Sequence, residues 1–125
     1  MPVPMTLSPA LEAGRQEQAV AVLKEAVAER PEQLEFYLNL SSLYESVDNS
    51  ADALSLLIGA EKRFPAEPRL QFRIGVLYDK TGNRPESIAR MKKVLTLNPN
   101  DAQALNFIGY TYAEIGTNLE EALGY

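Results

Sequence analysis

Written in rows of 34, the 125-residue sequence aligns with itself. Pro31, Pro65 and Pro99 fall in one column, and Leu40, Ile74 and Ile108 in another. So do Ser41, Gly75 and Gly109, and so do Tyr44, Tyr78 and Tyr112. Ala19, Ala53 and Ser87 share a column, as do Leu23, Leu57 and Met91, and Ala26, Ala60 and Val94. Gly14, Asp48, Gly82 and Gly116 make a turn column that occurs four times. One spacing held through so many columns without a gap points to a structural unit repeated along the chain, not to an irregular bundle.

Each unit reads as two helices. Tyr37, Leu40 and Tyr44 are spaced i, i+3, i+7 and share a helix face, a pattern repeated by Leu105, Ile108 and Tyr112. After the turn, Ala53, Leu57 and Ala60 are spaced i, i+4, i+7 on a second helix. Small residues (Ser41, Gly75 and Gly109 on the first helix, Ala53 and Ser87 on the second) stand where the helices of a pair cross closely. A larger side chain there would force the axes apart. The column proline ends each unit, because proline cannot continue a helix interior. Asn83 ahead of Arg84 and Pro85 reads as a helix cap followed by proline in the first turn.

These residues resemble the tetratricopeptide repeat (TPR) family. Leu34 to Glu67 carries every signature type: Tyr37, Leu40, Ser41, Tyr44, Ala53, Leu57, Ala60 and Pro65. Pro68 to Asp101 keeps Ile74, Gly75, Tyr78, Ser87 and Pro99. It departs at Gln71, where a large apolar residue is usual, and at Val94, where a small one is, so looser packing is expected there. The resemblance implies an all-α fold, a right-handed superhelical stack of antiparallel helix pairs. The expected organisation is an N-terminal stretch, 1–9, disordered or foreign to the natural chain, followed by one repeat domain over 10–125. That domain divides into a partial repeat at 10–33, repeats at 34–67 and 68–101, and a truncated repeat at 102–125. The partial repeat is expected to keep only its second helix, Arg15 to Glu29. The last has a full first helix, one extra residue in its turn (Thr117-Asn118-Leu119), and a second helix that stops short.

Both ends therefore read as incomplete, as in a fragment of a longer repeat protein. No polar capping helix closes the array, so the face around Tyr112, Ile115 and Leu123 is expected to be adhesive and to allow self-association. The start, with three prolines and no basic cluster, is not a secretory leader. That favours the cytoplasm if it is the natural start, and leaves the periplasm open for a piece of an exported protein.

Composition removes most chemistry. The chain has no Cys and no His, which excludes thiolate sites and the usual base and metal ligand near neutral pH. With 12 basic against 17 acidic residues and a net charge of −5, nucleic acid is not the expected partner. No apolar run is long enough to span a membrane. Carboxylate pairs such as Glu32 and Glu35, or Glu120 and Glu121, read as solvated helix surface, and no phosphate-cradling glycine loop or acidic calcium loop occurs. Neither enzyme activity nor a cofactor or metal is expected.

What remains is binding. The resemblance implies a concave groove lined by the first helix of each unit. The residues expected to bind a partner there are Leu38, Asn39 and Ser42, then Arg69, Phe72, Arg73, Val76 and Lys80, then Asn106, Phe107 and Tyr110. Leu38, Phe72, Val76, Phe107 and Tyr110 would supply apolar contact. Arg69, Arg73 and Lys80, spaced i, i+4, i+11, could hold a carboxylate. An amide such as Asn39 or Asn106 both donates and accepts, which suits an extended backbone. With Glu35, Glu45, Asp79 and Glu114 the lining is nearly neutral. The family's clamp for chaperone tails needs basic and Asn residues on successive first helices, whereas Leu38 and Ser42 stand in the first unit and Asn106 and Tyr110 in the third, so that ligand is not expected. The reading is a protein-interaction module that takes a peptide or partner helix carrying apolar anchors and one or two acidic groups. The alternatives are the regulatory or substrate-presenting arm of a larger enzyme, as in TPR-bearing glycosyltransferases, and an oligomerising scaffold.

Overall fold

A computed structural model describes the backbone of residues 9–115 and the side chains of 14–114. The expectations placed on 1–8, on Gly116, on the extra turn residue and on Leu123 lie outside these residues. Among the described residues there are six helices and no strand: α1 (Pro9–Glu29), α2 (Leu34–Ser46), α3 (Ser50–Ala60), α4 (Pro68–Lys80), α5 (Arg84–Leu97) and α6 (Ala102–Ile115). The 34-residue period reappears in where they start. α2, α4 and α6 begin at 34, 68 and 102, and α3 and α5 at 50 and 84. Pro31, Pro65 and Pro99 all stand in the turns between helices. The chain divides into two compact units, the first ending at Arg63 and the second starting at Phe64.

In the first unit α1 packs on α2, and α2 on α3. α2 buries Leu34, Tyr37, Leu40, Ser41 and Tyr44 on one stripe, and α3 answers with Ala53, Leu57 and Ala60. Burying the Ser41 hydroxyl is tolerable because it donates to the Leu38 carbonyl at 2.8 Å. The α2–α3 turn places Asp48 at φ +59°, in the left-handed region. Asn49 then caps α3, its side-chain oxygen accepting from the Asp52 backbone N–H at 3.3 Å. Gly14 does not turn the chain as its column suggests; it lies inside α1, without a positive φ. Glycine permits a left-handed turn but does not impose one. Asp48 and Gly82 are each followed by a capping Asn that starts the next helix, whereas Gly14 is followed by Arg15. The helix expected from Arg15 is therefore longer, running through the described residues from Pro9 to Glu29.

In the second unit α4 packs on α5, and α5 on α6. Gly82, at φ +90°, makes the α4–α5 turn, and Asn83 caps α5 as expected, accepting from the Glu86 N–H at 3.3 Å. Asp101 caps α6 in the same way, its carboxylate 3.0 Å from the Ala104 N–H. Gly75 sits at the close crossing. A Cβ there would stand 2.8 Å from Met91 Cε and 3.3 Å from the Ser87 carbonyl oxygen. Gly109 meets nothing within 4 Å, and the second helix expected to cross it falls outside the described residues.

The two departures from the repeat pattern do not loosen this pair. Val94 is fully buried and packs with Met91 and Ala104. Gln71 is fully buried too, and its side-chain oxygen accepts from Arg90 Nη1 at 3.1 Å. The Arg90 guanidinium lies 5.7 Å from the centre of the Tyr78 ring. A polar group in an apolar column is thus provided with a partner from the facing helix.

Candidate partner-binding surface

α4 and α6 enclose a concavity of about 430 Å³ in the second unit. Phe72 and Asp79 line it from α4, and Gln103, Asn106, Phe107, Tyr110, Thr111 and Glu114 from α6. On α6 this set follows from helical spacing, since 103, 106, 107, 110, 111 and 114 fall on one face. Phe72 and Phe107 meet edge to face, with ring centres 6.4 Å apart and planes at 72°. Both rings also pack against the buried Met91, Val94 and Ala104, which holds them in place. Tyr110 stands over this base 73% exposed, and the Asn106 amide is exposed beside it.

Charge in the concavity is one-sided. Among the described residues its lining contains two carboxylates, Asp79 and Glu114, and no basic side chain. Arg84, at the first position of α5, ties them together. Its Nη2 lies 2.9 Å from Glu114 Oε2 and its Nε 3.6 Å from Asp79 Oδ1. Ion pairs this exposed contribute little to stability, but these link α4, α5 and α6.

The expected binding residues are therefore sorted by the structure. Phe72, Asn106, Phe107 and Tyr110 come together in the concavity. Val76 packs instead against Met91, Val94 and Ala104. Arg69, Arg73 and Lys80 are not part of the lining, and each is already engaged by neighbouring groups; Arg69 Nε lies 3.3 Å from Glu67 Oε1. In the first unit Leu38 is half-buried while Asn39 and Ser42 are exposed. That unit has a concavity of its own, also about 430 Å³, between Gln16, Glu17 and Val20 of α1 and Tyr44, Val47 and Asn49. None of the expected residues lines it. Sequence reasoning missed it because Tyr44 belongs to a core column and Val47 to no column.

Among the described residues no group of three metal-ligating side chains occurs, and no helix is long and apolar enough to cross a membrane.

Paired helices repeating every 34 residues, with an aromatic-floored depression on their first helices, define a helical-repeat protein-interaction module. Tetratricopeptide repeat models match residues 10–71 and 68–101, and the chain belongs to that family. It is 27% identical over 113 residues, 90% of its length, to TPR repeat-containing protein PA4667 of Pseudomonas aeruginosa, of which it spans 19%. Among solved structures it resembles MamA (MSR-1), at 28% identity and a TM-score of 0.68, covering 91% of this chain and 65% of that one. The thermophilic TPR protein TTC0263 of Thermus thermophilus shares the fold, with a TM-score of 0.71 at 24% identity, over 88% of this chain and 55% of that one.

Proposed function

We propose that this chain is a protein-interaction module, without catalysis of its own, that takes a peptide or partner helix against the first helices of its repeats. Leu38, Asn39 and Ser42 are the binding residues of α2, Arg69, Phe72, Arg73, Val76 and Lys80 those of α4, and Asn106, Phe107 and Tyr110 those of α6. The observation that carries the reading is the concavity floored by Phe72 and Phe107 with Tyr110 standing exposed above it. Rings held by a core and open on one side offer contact area with little ordering cost, the character of an anchor site. Asn106 on the rim can donate to and accept from a bound backbone.

Capture from the source organism's lysate tests this, with the chain beside Tyr110→Ala, Phe107→Ala and Arg73→Glu variants of confirmed helicity. Partners lost on Tyr110→Ala and Phe107→Ala would support the anchor site, and further loss on Arg73→Glu would extend it along α4. Partners held equally by all four proteins would move binding off these helices and favour the oligomerising scaffold, whose sign is a mass that rises with concentration.

A further inference from the structure

We infer that the partner residue seated in the α4–α6 concavity is cationic, an Arg or Lys side chain next to an apolar residue. This deepens the anchor reading above and rests on it. Two carboxylates face the space and share a single guanidinium, so the group Asp79, Glu114 and Arg84 carries an excess negative charge. A carboxylate accepts through both oxygens. Arg84 engages Oδ1 of Asp79 and Oε2 of Glu114, which leaves Asp79 Oδ2 and Glu114 Oε1 able to accept from an incoming donor. Both side chains are only half-buried, 33% and 49% exposed, so a partner reaches them without opening the fold.

The apolar half of the concavity suits the same ligand. A guanidinium or ammonium lies favourably over an aromatic face, and Tyr110 presents one at 73% exposure. The aliphatic stem of Arg or Lys would run along Phe72 and Phe107 while the charged end reaches the carboxylates. An acidic partner residue would meet the opposite situation. The described lining offers it no cation, Arg84 is already shared between two carboxylates, and Arg69, Arg73 and Lys80 lie outside the concavity with neighbours of their own. An acidic group of the same ligand would lie outside the concavity, beside Arg69, Arg73 and Lys80.

The chain has no Trp, so a peptide tryptophan reports binding without background. Three acetylated, amidated peptides serve as probes: Arg-Trp-Leu, the same with citrulline for Arg, and the same with Glu. Each is titrated into the full chain, with backbone amide shifts locating the contact. The expected order is Arg tightest, then citrulline, then Glu, with roughly a three- to tenfold step from Arg to citrulline. That step should vanish in an Asp79→Asn/Glu114→Gln variant, whose substitutions keep side-chain size. It should also shrink at about 1 M salt, where screening acts within about 3 Å. Equal affinities with shifts on α4 and α6 would overturn the cationic preference and leave the anchor standing. Glu binding tightest would overturn it in favour of an acidic partner. No shifts on α4 and α6 with any peptide would overturn the anchor reading together with it.

Discussion

Two helical glycines show how differently one residue type can be constrained. Gly59 of α3 is exposed, and a Cβ there would meet nothing within 4 Å. Gly59→Ala should therefore stabilise the protein by about 0.5–1 kcal/mol, the usual gain of Ala over Gly in a helix. Gly75 has the same helix penalty but faces α5. Met91 Cε can swing aside, whereas the Ser87 carbonyl belongs to the backbone of α5 and cannot. Overpacking costs of about 1–3 kcal/mol exceed the helical gain, so Gly75→Ala should destabilise by about 1 kcal/mol. Urea midpoints of the two variants should move in opposite directions, and a shift of the same sign in both would refute the close-crossing account. The close approach was legible in the sequence, because the small-residue column placed Gly75 against Ser87. The failure at Gly14 was equally physical, since a turn needs the cap that follows it, and only Asp48 and Gly82 have one.

At the scale of the element, the α4–α5 pair rests on a polar contact where its family uses an apolar one. Arg90→Met should cost about 1–3 kcal/mol by depriving the buried Gln71 of a donor. Gln71→Leu in the same protein should recover part of that loss, because the stranded amide is then gone, while the Arg90 contact with Tyr78 stays lost. An Arg90→Met variant as stable as the unmutated protein would show that the hydrogen bond carries no weight, and a double variant no more stable than the single would show that the loss does not come from a stranded Gln71. The sequence marked Gln71 as unusual but could not supply its partner, which stands 19 residues away on another helix. The candidate site divides along the same line. Phe72, Asn106, Phe107 and Tyr110, which line the concavity, were named beforehand because the resemblance to the repeat family marks the inward positions of each first helix. The sign of the concavity was not, because summing charges over the first helices mixes Asp79 and Glu114 with bases that lie elsewhere. Arg84, which binds those two acids, comes from a second helix and from 30 residues before Glu114.

Over the whole molecule, burial is unevenly shared. Leu70, Gln71, Ile74 and Leu77 of α4 and Ser87, Met91 and Val94 of α5 are fully buried, whereas no described side chain of α1 is. Local opening follows burial, so amide exchange should be fastest in α1 and slowest across α4 and α5. Uniform protection along the chain would contradict this ordering. The all-helical repeat fold was legible from the period alone, because each unit repeats the same spacing of core, small and turn residues. That economy reaches past stability. The caps at Asn49 and Asn83 stand 34 residues apart, and each bonds only three residues ahead, to Asp52 and Glu86. Each of these two units thus carries the start signal of its second helix, written within the segment it governs. A gene for such a chain can gain or lose a whole unit by in-frame recombination and still encode, on either side of the junction, helices that know where to begin.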